Sequence, residues 1–184
     1  MKNTIYTYLL KNGYPFFNIS GKSFGTSILA KNMKVEKDYQ EFLKLLNKHK
    51  VKYCVVGSYA VAFYARPRYT KDLDIFIEPS LANAQKIMKA LAEFGFGKLD
   101  ISPEDLATPG IIIQLGYEPI RIDLLTSLRG VNFKEIWDNR KMGKFGQIKV
   151  SFISLKDLIK TKKASGRLAD QADLEILEKI NPTS

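Results

Sequence analysis

Val55-Val56-Gly57-Ser58, followed a dozen residues later by Arg68-Tyr69-Thr70-Lys71-Asp72-Leu73-Asp74-Ile75-Phe76-Ile77, is the stretch that decides the fold of this chain. Residues 53–56 read as a short apolar strand that ends on Gly57-Ser58. Residues 59–65 read as a short apolar helix, which Pro67 ends because proline disfavours helix in the residue before it. Residues 72–78 alternate in type and suit a second strand that leaves a charged end.

Working outward, Val35, Tyr39, Phe42, Leu43 and Leu46 recur at helical spacing and predict a helix from residue 35. Residues 81–94 predict another, with Ile87, Leu91 and Phe94 on one face. Residues 111–115 and 120–125 are strands joined as a hairpin through Gly116-Tyr117-Glu118-Pro119. A short helix over 132–140 and a strand over 147–153 follow. Ser154 opens a helix with Asp157 as its capping-box partner, and a last helix covers 167–180. This alternation predicts an α/β (α+β) domain, with a mixed β-sheet flanked by helices.

Composition sets the outer limits. The chain has 184 residues, 45% hydrophobic and 26% charged, which fits one globular domain and excludes a disordered tail or a disulfide scaffold. No apolar run approaches the roughly 18 residues that cross a bilayer. A lone cysteine, Cys54, forms no internal disulfide, so the expected setting is cytoplasmic. Net charge is +10, which raises the local concentration of anions without choosing among nucleotide, RNA and acidic surface.

Residues 1–33 differ from the rest. They carry Lys2, Lys11, Lys22 and Lys31, no acids, several aromatics and no sustained period. They are expected to be a weakly structured N-terminal extension before a domain over 34–184, unless translation starts at Met33; a signal peptide's apolar segment is not evident.

The chemistry concentrates in three carboxylates. Asp72 and Asp74 are two apart, so on a strand they share a face, and Asp123 lies in the apolar strand Ile120-Arg121-Ile122-Asp123-Leu124-Leu125. Buried carboxylates need compensating charge, which a pair of Mg²⁺ ions would supply. A D-x-D pair alone is weak and is often just solvated at a strand end. Gly57-Ser58 strengthens it: glycine permits close backbone approach, and the amides of the following helix form an anion site suited to a triphosphate. The plain alternative is that Gly57 permits the turn and Ser58 caps the helix.

Taken together, these residues resemble the nucleotidyltransferase superfamily of the DNA polymerase β type. That pattern is a Gly-Ser turn, about a dozen residues, an acidic pair before apolar residues, and a third acid on a later strand. The ending Lys162…Gly166-Arg167-Leu168-Ala169-Asp170-Gln171-Ala172-Asp173 is similar to small bacterial nucleotidyltransferases, including abortive-infection type toxins. The resemblance covers roughly 35–180. It implies Mg²⁺ (two ions, with Mn²⁺ as a substitute) on Asp72, Asp74 and Asp123, with Asp123 also helping to deprotonate an acceptor hydroxyl. It implies the NTP triphosphate on Gly57 and Ser58, and phosphate contact by Lys162. Arg68 and Thr70 frame the acidic pair and count among the nucleotide-binding candidates.

Each has a plainer reading. Arg68 could pair with a carboxylate, Lys162 could lie on a solvated helix face, and Arg167, Asp170 and Asp173 could form a salt-bridge cluster. No basic residue follows Ser58, and no separate acceptor-binding domain follows the core. The expected activity is transfer of an NMP from an NTP to an acceptor hydroxyl on an RNA end, a small molecule or a protein. The alternatives are a non-catalytic module, or a toxin–antitoxin component that binds nucleotide or RNA; a partner protein or a homodimer fits either. His49 reads as a cation near a helix C-terminus, Cys54 as a buried inert thiol, and Phe133 and Trp137 as core or partner-facing aromatics.

Overall fold

The computed structural model describes residues 4–8, 28–65, 70–97, 99–117 and 120–180. In chain order these give β1 (Thr4–Tyr8), α1 (Ile28–Lys48), β2 (Tyr53–Val55), α2 (Gly57–Tyr64), β3 (Asp72–Ile77), α3 (Leu81–Leu91), α4 (Pro103–Ala107), β4 (Ile111–Tyr117), β5 (Ile120–Leu125), α5 (Phe133–Asn139), β6 (Lys141–Phe145), β7 (Ile148–Phe152), α6 (Leu155–Ser165) and α7 (Leu168–Ile180). Among the described residues the strands form one mixed sheet in the order β1-β4-β5-β3-β2-β7-β6. The expected α/β architecture is present, hairpin included: β4 and β5 are antiparallel, with Ile112 opposite Leu125.

The apolar stripe of α1 explains its packing. Tyr39, Phe42, Leu43 and Leu46 are all fully buried, at the spacing that puts them on one helix face. The Tyr39 hydroxyl reaches the carbonyl oxygens of Lys71 and Arg121 at 3.0 and 3.1 Å, which ties α1 to the starts of β3 and β5. The helix begins at Ile28, so the division expected at residue 33 falls inside it. Thr4–Tyr8, rich in β-branched and aromatic residues, runs parallel to β4 at the sheet edge.

Four features escaped the sequence reading, the first being β1, which lies in the stretch expected to be weakly structured. β6 (Lys-Met-Gly-Lys-Phe) has weak strand propensity and exists by antiparallel pairing with β7. α4 is short, yet Ser102 and Asp105 form a full capping box with Pro103 at the first turn. The helix expected over 81–94 ends at Leu91 and continues as a π-helical turn through Phe96, where Gly95 adopts φ 98°.

Ser154 caps α6 as expected: its Oγ accepts from the Asp157 amide at 3.1 Å and donates to Asp157 Oδ2 at 2.7 Å. Asp157 is fully buried, and Asn139 also donates to that oxygen, at 3.0 Å. Ser154→Ala should therefore cost about 1–2 kcal/mol in urea unfolding; an unchanged midpoint would remove the cap from the list of stabilising contacts. Burial pushes the Cys54 thiol up to about 12. Alkylation at about pH 8 should spare it in the folded protein and modify it once guanidinium unfolds the chain. Rapid labelling of the native state would show instead that β2 opens. No helix among the described residues is long and apolar enough to cross a membrane.

Candidate active site

Strand register gathers the three carboxylates. β3 and β5 are parallel neighbours with Asp74 opposite Asp123 and Asp72 opposite Arg121. Asp72 and Asp74 are partly buried, and Asp123 is only 5% exposed. Register thus brings Asp123 beside the pair that alternation on β3 already puts on one face.

Gly57 lies directly against this group. Its φ is +61°, and a Cβ built there would sit 1.9 Å from Asp74 Oδ2. Only glycine fits, both in conformation and in space. The Val56 amide donates to the Asp74 carbonyl at 3.0 Å, fixing the turn onto β3. α2 starts at Gly57, not at Ser58, and its N-cap position is Val56, which offers no side-chain cap. Ser58 is thus inside the first turn and is not the N-cap, which corrects the plain alternative for it. The Gly57-Ser58 turn and the acidic pair meet at one point.

Arg121 is the residue that sequence reasoning missed. Its Nη2 donates to Asp72 Oδ2 at 2.7 Å and to Asp123 Oδ2 at 3.0 Å, and its Nε donates to Asp123 Oδ1 at 2.7 Å. The signal was present, because Arg121 and Asp123 are two apart on one strand and so share a face. Gln114 Nε2 approaches Asp123 Oδ2 at 3.5 Å. Burial opposes the Arg121 charge, but the bonds to Asp123 outweigh it and hold the guanidinium pKa above its ordinary value. Burial raises Asp123, with Arg121 pulling against it. Asp74 has no such bond: burial, then repulsion from Asp72 and Asp123, pushes it up to about 7.

The remaining candidates divide. Thr70 Oγ1 donates to Asp72 Oδ1 at 3.0 Å, so it orients that carboxylate. Arg68 lies outside the described residues. Lys162 is not on a solvated face: it is buried, and its Nζ donates to Asp170 Oδ1 at 2.6 Å and Asp173 Oδ2 at 2.7 Å. Its charge also acts on Asp74 and favours the ionised form. In place of the expected Arg167–Asp170–Asp173 cluster, Asp170 and Asp173 pair with Lys162, while Arg167 is exposed. His49 pairs with Glu93 at 2.9 Å, and Phe133 is buried beneath Trp137, their rings stacked at 5.9 Å.

Among the described residues, no three His, Cys, Asp or Glu side chains stand close enough to hold a metal as they are placed. The Arg121 fork bridges Asp72 and Asp123 instead. The donor set still fits a hard divalent cation, being all oxygen on one sheet face. Three carboxylates against one guanidinium leave two negative charges, and the elevated Asp74 marks where compensation falls short.

No curated protein matches the chain. A crystal structure from Thermotoga maritima, described as a "putative nucleotidyltransferase", aligns with a TM-score of 0.51 at 17% identity, over 86% of this chain and 97% of its own. At that identity the likeness speaks for the fold. The family model matches residues 35–184, reaching from the first face of α1 through α7, and by it the chain belongs to the family described as nucleotidyl transferase of unknown function (DUF2204).

Proposed function

We propose that the chain transfers an NMP from an NTP to an acceptor hydroxyl and releases pyrophosphate. The observation that carries this reading is the Gly57 backbone held against Asp74 beside Asp72 and Asp123. In the reaction a bond forms between the acceptor oxygen and the α-phosphorus, and the bond from that phosphorus to the pyrophosphate oxygen breaks. Asp72, Asp74 and Asp123 are the residues that would hold Mg²⁺, or Mn²⁺ in its place. Such ions, when bound, neutralise phosphate charge and stabilise the attacking and leaving oxygens.

The chain supplies the rest. The uncapped first turn of α2, with Ser58, offers donors to phosphate oxygens. Arg121 orients Asp123, which takes the acceptor proton. Lys162 adds positive potential that acts on Asp74 and would favour its ionised form.

A second reading, a non-catalytic nucleotide- or RNA-binding module, draws on one observation: Arg121 already bridges two of the three acids. The deciding experiment incubates the protein with Mg²⁺, each α-labelled NTP in turn and total RNA, then repeats this with small hydroxylated compounds as acceptors. Label passing to an acceptor, or to the protein, with wild type and not with Asp74→Asn supports transfer and names the nucleotide. Thermal stabilisation by NTP with no label on any acceptor supports the module.

A further inference from the structure

Three carboxylates share one guanidinium, and they share it unevenly. Arg121 stands opposite Asp72 on β3 and opposite Gly116 on β4. Its Nε bonds only Asp123, at Oδ1 and 2.7 Å, whereas its Nη2 lies 2.7 Å from Asp72 Oδ2 and 3.0 Å from Asp123 Oδ2. One nitrogen therefore bridges two carboxylates, and Asp74 lies outside its bonds. Thr70 donates to the other oxygen of Asp72, Oδ1, at 3.0 Å. A hard divalent cation takes carboxylate oxygens as ligands. On Asp72 Oδ2 or Asp123 Oδ2 it would stand beside the guanidinium, where like charges repel.

The bridge is open to solvent. The Arg121 side chain is 25% exposed and that of Asp72 33%, so an ion can reach the contested oxygens. Gly116 puts no side chain on the flank of Arg121 that faces away from Asp72. The bridging bonds also set the spacing of the acids, and among the described residues no three stand close enough to hold a metal as placed. A single positive charge falls short of three carboxylates, so Arg121 alone does not complete the site.

We infer that Arg121 is a place-holder cation that competes with the divalent ion: its Nη2 holds the oxygens of Asp72 and Asp123 together and gives up Asp72 when an ion loads, while its Nε stays with Asp123. Arg121 thereby keeps the carboxylates from repelling one another and sets how much ion the site needs. The contact that orients Asp123 and the contact that is contested belong to different nitrogens of one side chain, so one residue serves both tasks. The inference deepens the transfer reading by naming what controls loading of its metal site, and rests on that reading for the use to which the ion is put.

Loading is measured without nucleotide or turnover, so it stands apart from activity. Mn²⁺ binding is titrated by electron paramagnetic resonance for wild type, Arg121→Gln, Arg121→Lys and the control Lys89→Gln, an exposed position on α3. Arg121→Gln should bind Mn²⁺ about tenfold or more tightly than wild type, because no cation then competes. Arg121→Lys keeps the charge and loses the fork, so its affinity should fall between the two, and the control should match wild type. In thermal melts without divalent ions Arg121→Gln should unfold earlier than wild type, since its carboxylates repel unopposed, and Mn²⁺ should raise its Tm by more. If Arg121→Gln does not fold, Arg121→Lys decides, and must bind Mn²⁺ more tightly than wild type. Unchanged or weaker Mn²⁺ binding in the Arg121 variants overturns the proposal and leaves Arg121 a structural ion pair. So does an equal gain in the control, or a gain that persists when Asp74→Asn is added. If Mn²⁺ binds more tightly without Arg121 and no NTP labels any acceptor, the competition stands and the transfer reading fails; if label passes to an acceptor and Mn²⁺ affinity ignores Arg121, the reverse holds.

Discussion

Asp74→Asn is expected to abolish nucleotidyl transfer, by roughly 10³-fold or more, while making the metal-free protein more stable near pH 8. The two effects have one cause. Asp74 is pushed up to about 7 by burial and by repulsion from Asp72 and Asp123, whereas in the unfolded chain it titrates near its ordinary value of about 3.9. Between those two values the folded protein holds a proton that the unfolded chain has lost. Stability from this group is therefore full at low pH, falls as pH rises through that window, and is lowest above about 7. Asparagine has no such proton to lose, so the variant's advantage in Tm should grow from about pH 4 to pH 8, with a ceiling of about 4 kcal/mol. Mg²⁺ should raise the Tm of wild type at about pH 8 and not that of the variant. A variant less stable than wild type at both ends of the range would remove the electrostatic account. Full activity in Asp74→Asn would remove Asp74 from the chemistry.

Gly57→Ala should be among the most damaging single-methyl additions in the chain. The new Cβ would fall 1.9 Å from Asp74 Oδ2 and 2.7 Å from its Cγ, at a backbone φ of +61° that L side chains rarely adopt. Overpacking costs roughly 1–3 kcal/mol and the left-handed conformation roughly 1–2, so a loss of about 2–5 kcal/mol is expected in denaturant unfolding. The clash is specific to the carboxylate. Gly57→Ala/Asp74→Ala should recover the steric part and leave the conformational part, giving a coupling of at least about 1 kcal/mol in a double-mutant cycle. Additive losses would mean that the turn and β3 do not touch in solution.

Much of the site was legible from spacing. Two acids at an interval of two fall on one face of a strand whatever surrounds them, and β5 declared itself by its apolar residues around Asp123. Gly57-Ser58 after an apolar strand marked the turn. Arg121 was overlooked although the same interval of two ties it to Asp123; spacing gives the shared face, and the β3–β5 register is what adds Asp72 to its reach. Lys162 was named from the resemblance, but its burial and its partners were hidden. Its neighbours in sequence, Lys160 and Lys163, are surface residues, and only the turn at Gly166 (φ +68°) folds α7 back to put Asp170 and Asp173 on its ammonium group.

Sequence by itself determined most of the elements between α1 and α7, the mixed sheet, the acidic trio and the glycine before it, because strand and helix periods and the conformational freedom of glycine are local properties. Tertiary structure decided which charges meet. It set Arg121 between Asp72 and Asp123, buried Lys162 between two carboxylates, left Asp74 short of compensation, and made the weakly strand-forming β6 the basic edge of the sheet. Those outcomes depend on strand order and helix packing across dozens of residues. Electrostatic energies follow distance and burial in space, and neither can be read along the chain.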